Sequence, residues 1–130
     1  MAEYGRTADA QGAVEVVQGI YDAFARRDLD GMLALAAPDG EFHLAGTASV
    51  IGRTGPYRGH DGLREYFAHV AQAWDELQIV ADDLRATAAG VVVFGHVEGR
   101  IGEDRVQRRV AWTWQVRDGK AVSVRVNELS

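Results

Sequence analysis

Val14, Val17, Tyr21 and Phe24 recur at helical spacing, with Val16 and Ile20 widening the stripe, so residues 10–27 read as an amphipathic helix. Residues 1–9 are polar, small and unpatterned, which predicts a frayed N-terminus ahead of a single domain over 10–130. Arg26 and Arg27 put two cations where the helix dipole is negative. Asp28 is placed to cap a short second helix, with Leu29, Met32, Leu33 and Leu35 as its apolar face and Pro38 as its stop. Glu41–Ala45 reads as a short strand, and residues 46–59, rich in glycine and holding Pro56, as an irregular loop. A third helix begins near His60–Asp61, its stripe carrying Leu63, Phe67, Val70 and Trp74, with Tyr66 beside them.

After Asp75 the period changes from helical to alternating. Leu77, Ile79 and Ala81 open a strand, Ala89–Gly90 turns the chain into Val91–Arg100, and residues 102–104 turn it into Arg105–Val116. The Asp118–Gly119 pair is a hairpin signal that leads into Ala121–Leu129. Helices first and an antiparallel meander after them predict an α+β domain. A twisted antiparallel sheet of this length curls around the N-terminal helices, and any concave surface left uncovered forms an apolar pocket. Alternation places Val106, Arg108, Val110, Trp112, Trp114 and Val116 on the inward side of one strand. Val122, Val124, Val126 and Glu128 take that side of the next. The two indoles either wall a flat ligand or fill the core.

Composition narrows the function classes. At 130 residues, 47% hydrophobic and 25% charged, the chain has globular proportions and enough length for one core. A net charge of −5 argues against nucleic-acid binding, which calls for a basic face. The absence of cysteine removes disulfides, zinc–thiolate sites and a cysteine nucleophile. No apolar run approaches a membrane span and no secretory signal stands at the N-terminus, so the expectation is a cytoplasmic protein without a membrane partner. The four histidines are dispersed, with no metal-site spacing, and no phosphate-binding glycine motif occurs.

The polar candidates for chemistry are few. His96 shares a strand face with Val92, Phe94 and Glu98, and a histidine two residues from a carboxylate can share a proton or hold a water. Glu128 is the one acid on the inward stripe of the last strand: either it is buried there, with its pKa raised, or the strand has frayed by that point and it is solvated. His43 is either an acid–base group or, by strict alternation against Phe42 and Leu44, a solvent-facing residue. Tyr57 can reach over a pocket mouth from the loop, while Tyr21, on the core stripe of the first helix, has a hydroxyl that needs a partner. His60 or Asp61 is placed to cap the third helix, and His69 reads as a surface residue.

The stretches YDAFARRDLDGMLAL, YRGHDGLREYF and VRDGKAVSVRV, in the order helix, helix, loop, helix and meander, resemble the SnoaL-like branch of the nuclear-transport-factor-2-like superfamily. The resemblance runs from about Val14 to Glu128 and implies a conical α+β barrel with a deep pocket, dimeric through the outer sheet face. Family members include polyketide cyclases, ketosteroid isomerases, epoxide hydrolases and non-catalytic binding modules, so the fold by itself selects no reaction. Aligned through Asp28–Gly31, the isomerase general-base position falls on Leu44 and the oxyanion-hole tyrosine position on Ile20. The oxyanion-hole aspartate position falls on Ala111 or Trp112, so none of the three groups that mechanism needs is present. The epoxide-hydrolase constellation finds only Arg108.

Two functions follow as expectations. One is a cofactor-independent acid–base enzyme acting on a hydrophobic, polycyclic type of substrate. His96, Glu128 and His43 would move protons, and Tyr21, Phe42, Leu44, Tyr57, Arg108, Trp112, Trp114 and Val126 would bind substrate. The other is a non-catalytic binding module with the same pocket. Both predict a hydrophobic small-molecule ligand, no metal or cofactor, and a homodimer.

Overall fold

The computed structural model describes residues 2–129; the side chains of residues 2–9, 45 and 128 lie outside the described residues. Helix α1 spans Ala2–Ala25 and so begins ahead of its apolar stripe. It ends where Arg27 takes a left-handed φ of 53°, and Phe24 O accepts both the Arg27 backbone N–H at 2.9 Å and its guanidinium at 2.7 Å. Asp28 caps α2 (Leu29–Leu35) by accepting from Gly31 N at 3.0 Å.

Strand β1 (Ala36–Phe42) follows at once, so Pro38 lies inside a strand rather than just past a helix. A short helix, α3 (Ala45–Ile51), and a two-residue strand, β2 (Tyr57–Arg58), occupy the stretch that reads as a loop. Glycine content conceals both elements, since each is held by tertiary contacts and not by periodicity. Helix α4 (Gly59–Ala73) buries Leu63, Tyr66 and Val70. Neither His60 nor Asp61 caps it: the N-cap is Arg58, without a side-chain bond, and His60 Nε2 meets Ala36 O at 2.8 Å instead.

Strands β3 (Glu76–Thr87), β4 (Gly90–Ile101), β5 (Asp104–Arg117) and β6 (Lys120–Glu128) form the meander. The sheet order is β2-β1-β6-β5-β4-β3, antiparallel except where β1 runs parallel to β6. The curved sheet packs its concave face on α1 and α4. Its inner positions are Val91, Val93 and Gly95 on β4, Val110, Trp112 and Trp114 on β5, and Val124 on β6. Each buried Val is worth roughly 1.5–3 kcal/mol relative to exposure, which fixes this face toward the core. Gly95 is needed where it stands: a Cβ there would collide with the Val80 carbonyl oxygen and press on the Trp112 ring.

Two bulges within the meander adjust its faces. Between Gln115 and Val116 the register with β6 shifts, so Ala121 is fully buried and Val122, inward by alternation, is not. Between Ala81 and Asp83 the register with β4 shifts, and Asp82 is the extra residue.

Candidate functional site

Inside the cone lies a cavity of about 40 Å³. Helix α1 contributes Ile20, Tyr21 and Phe24, α2 Met32, and α4 Leu63 and Tyr66. The sheet side and its connections contribute Ala36, Phe42, Leu44, Ile79, Trp112 and Trp114. Tyr21 is the centre of an aromatic cage: its ring meets Trp112 edge-on at 5.4 Å and Trp114 at 5.9 Å. Phe42 lies 6.5 Å from Trp114 on the far side.

The only titratable groups in this lining are two phenols. Trp114 Nε1 donates to the Tyr21 hydroxyl at 3.0 Å. Burial drives the Tyr21 pKa far above the ordinary phenol value, against the opposing pull of that bond. Burial likewise pushes Tyr66 up to about 12, with a hydrogen bond to Thr47 opposing the shift. Thr47 also accepts from Trp74 Nε1 at 3.1 Å, so a buried hydroxyl on α3 ties Tyr66 of α4 to Trp74 just past the end of that helix. At neutral pH the cavity therefore holds neutral hydroxyls. It can bind through apolar contact and hydrogen bonds, and among the described residues its wall holds no carboxylate or imidazole.

The structure distributes the sequence candidates over three locations. Tyr21, Phe42, Leu44, Trp112 and Trp114 meet at the cavity, and Val126 packs beside it, opposite Trp112. Leu44, Ile20 and Trp112, the positions aligned with the isomerase machinery, all line the wall as apolar groups.

Tyr57 does not reach over a mouth: it is fully buried, and its hydroxyl meets His69 Nδ1 at 2.9 Å, with Arg53 stacked 4.2 Å over its ring. His69 is accordingly half-buried and bonded, not a plain surface residue.

His43, Arg108 and His96 lie away from the cavity. His43 is half-exposed and paired with Glu41 at 3.1 Å, because Phe42 and Leu44 take the inward positions on either side of it. Arg108 has inward parity but sits beyond the end of the helical cover and is exposed. His96 belongs to the convex face, in register with Arg109 and Val80. Its Nδ1 meets Asp82 Oδ2 at 2.8 Å and its Nε2 lies 4.0 Å from Glu98. The bulge at Asp82 is what aims that carboxylate at the imidazole. Glu128 closes β6 opposite Val110, and its side chain lies outside the described residues.

Sequence reasoning missed Phe24, Met32, Leu63, Tyr66 and Ile79 as wall residues, although each sits on an apolar stripe that pattern reading can find. Thr47 had no signal, since one hydroxyl in a glycine-rich stretch looks like any other. Among the described residues no group of three or more acidic, histidine or cysteine side chains could hold a metal ion. No helix there is long and apolar enough to cross a membrane.

The SnoaL-like domain family matches residues 17–124, and the chain belongs to that family. Among solved structures it is similar to an NTF2-like protein of unknown function from Burkholderia pseudomallei. The two share 26% identity over 91% of each chain, with a TM-score of 0.79. It is also similar to TerC co-crystallised with polyporic acid, at 28% identity, 91% of this chain, 92% of that one and a TM-score of 0.79. A cystatin-like protein from Xanthomonas campestris, 18% identical over 91% of each chain with a TM-score of 0.78, shares the fold. No curated protein matches the sequence.

Proposed function

We propose that this SnoaL-like protein binds a small, flat hydrophobic molecule in the interior of the cone. The observation that carries the reading is the cage of Tyr21, Trp112 and Trp114 around an apolar cavity whose polar groups are two neutral phenols. Similarity to TerC, crystallised with polyporic acid, supports an interior that accepts a ligand. A volume of about 40 Å³ holds one or two waters, whereas a benzene-sized guest needs roughly 150 Å³, so binding requires the cavity to widen. Native mass spectrometry of the purified protein and a tryptophan-fluorescence titration with 2-naphthol test this. We expect a bound mass or saturable quenching that Trp112→Ala weakens at least tenfold. No adduct and no saturable quenching by the folded protein would exclude the reading.

A cofactor-independent acid–base reaction in the same interior is the second reading. It rests on Glu128, whose backbone stands opposite Val110, two residues along β6 from the partner of Trp112. Glu128→Gln should then abolish turnover of any molecule found bound while leaving its affinity within a few-fold.

The partner we propose is a second copy, packed on the convex face. That face carries exposed Phe94 beside buried Ala111. The face is of mixed charge, with Asp82, Asp83, Arg85 and Glu98 on β3–β4 and Arg109 and Arg125 on β5–β6, so a two-fold rotation can set unlike charges against each other. Pairing would bury about 1,200–2,000 Å². Sedimentation at tens of micromolar should show twice the 14.2 kDa chain mass, and Thr113→Arg should release monomers. A 14.2 kDa species for the unmodified protein would exclude the dimer.

A further inference from the structure

A crevice of about 310 Å³ runs between α1 and β3 and shares Tyr21 and Ile79 with the interior cavity. Its strand side is lined by five consecutive residues, 77–81, which belong to both faces of the sheet. The crevice therefore follows the outer edge of β3 rather than either face. Because β3 ends the sheet, that edge presents backbone N–H and C=O groups pointing away from β4. The helix side offers Gln18 and Asp22, joined by a 3.1 Å hydrogen bond. One side chain crosses the end of the crevice: Arg27 donates to Leu77 O on β3 and to Phe24 O on α1, with its guanidinium 4.1 Å over the Phe24 ring. Phe24 is itself part of the cavity wall.

We propose that the crevice is the outer half of the ligand site and its way in, and that Arg27 is the latch across it. The proposal rests on the interior being a ligand site and adds the class of ligand. The interior by itself is too small for one aromatic ring, whereas the crevice alone reaches the lower end of the usual range for small-molecule sites, about 300–1,000 Å³. The cavity widens when α1 and β3 separate, and Arg27 is the side chain that ties the end of one to the start of the other. The ligand is amphipathic. Its flat apolar end passes Tyr21 and Ile79 into the aromatic cage. Its chain stays in the crevice and is neutral, with an amide or hydroxyls, because the strand edge and Gln18 offer both donors and acceptors while Asp22 and Arg27 in the lining carry opposite charges.

The test uses two probes, N-butyl-2-naphthamide and 2-methylnaphthalene, followed by tryptophan fluorescence in equilibrium and stopped-flow experiments on the full chain. The amide should bind at least tenfold more tightly than the hydrocarbon. Gln18→Leu should remove most of that advantage without changing hydrocarbon binding. Arg27→Met, which keeps an apolar stem over Phe24 but cannot donate, should raise the association and dissociation rates of both probes fivefold or more, leaving Kd within about threefold. Equal affinities for the two probes, together with rates unmoved by Arg27→Met, would overturn the crevice and leave interior binding standing. No binding of either probe to the folded protein would overturn both.

Discussion

The two faces of one sheet are built from the same strands and differ by a single residue step. On β4 and β5 the inner positions hold Val91, Val93, Val110, Trp112 and Trp114, all nearly inaccessible. The outer positions of the same strands hold Phe94, His96, Glu98, Arg109 and Thr113. The inner face stores its stability in aromatic and aliphatic packing and keeps its few hydroxyls bonded and neutral. The outer face holds His96 between two carboxylates, those of Asp82 and Glu98, half-open to water. His96, with the Asp82 and Glu98 carboxylates beside it, and the apolar cavity thus lie on opposite sides of a single layer of backbone. A histidine on a strand is not a site until its parity is known.

Substitution on the two faces separates them most sharply. Trp112→Ala should cost about 3–5 kcal/mol, by lost burial and a cavity that relaxes incompletely, against less than about 1 kcal/mol for His96→Ala. Urea denaturation of both variants measures the pair, and equal losses would erase the distinction.

A smaller effect is expected inside the cage. Tyr21→Phe leaves the Trp114 indole N–H without its acceptor and should cost about 1–3 kcal/mol. Gly95→Ala, which forces a Cβ against the Val80 carbonyl, should cost a similar 1–3 kcal/mol or so by overpacking.

Alkaline titration sharpens the comparison through the phenols. Tyr66 has its folded pKa raised from 10.0 to about 12. The folded state therefore holds a proton that the unfolded state gives up. The associated stability is complete below pH 10 and is lost as pH rises through about 12. Absorbance at 295 nm should show Tyr21 and Tyr66 ionising late, together with loss of fold. Ionisation of all tyrosines near pH 10 in a folded protein would mean the inner face is open to water.

The smallest expected signal is catalytic. Since Leu44, Ile20 and Trp112 line the wall, Δ5-3-ketosteroid isomerisation should stay at background. Turnover within about tenfold of an authentic isomerase would require a base absent from the described residues of the wall.

The division into faces was legible from alternation, because side-chain direction along a strand has period two and needs no knowledge of the partner strand. Helix α1, the Asp28 cap, the Asp118–Gly119 turn and the inward placement of Trp112 and Trp114 all follow from such local rules. The resemblance carried by YRGHDGLREYF and its companions added the family. Local rules failed where a residue's environment is made by distant chain. Tyr57 is buried because α4 and Arg53 close over it. Thr47 matters because Trp74 and Tyr66 arrive beside it. His96 has apolar neighbours on both faces of its strand, so only packing against Trp112 decided which face is inner. The bulges at Asp82 and Val122 shift parity by one residue and have no clear mark in sequence, which is why Asp82 meets His96 and Ala121 replaces Val122 in the core. Cavity volume belongs wholly to tertiary structure, since it is the small remainder left when large side chains from helices and sheet have packed. Sequence determined which residues face inward; only their three-dimensional meeting determined that the space among them is about 40 Å³ and bordered by the α1–β3 crevice.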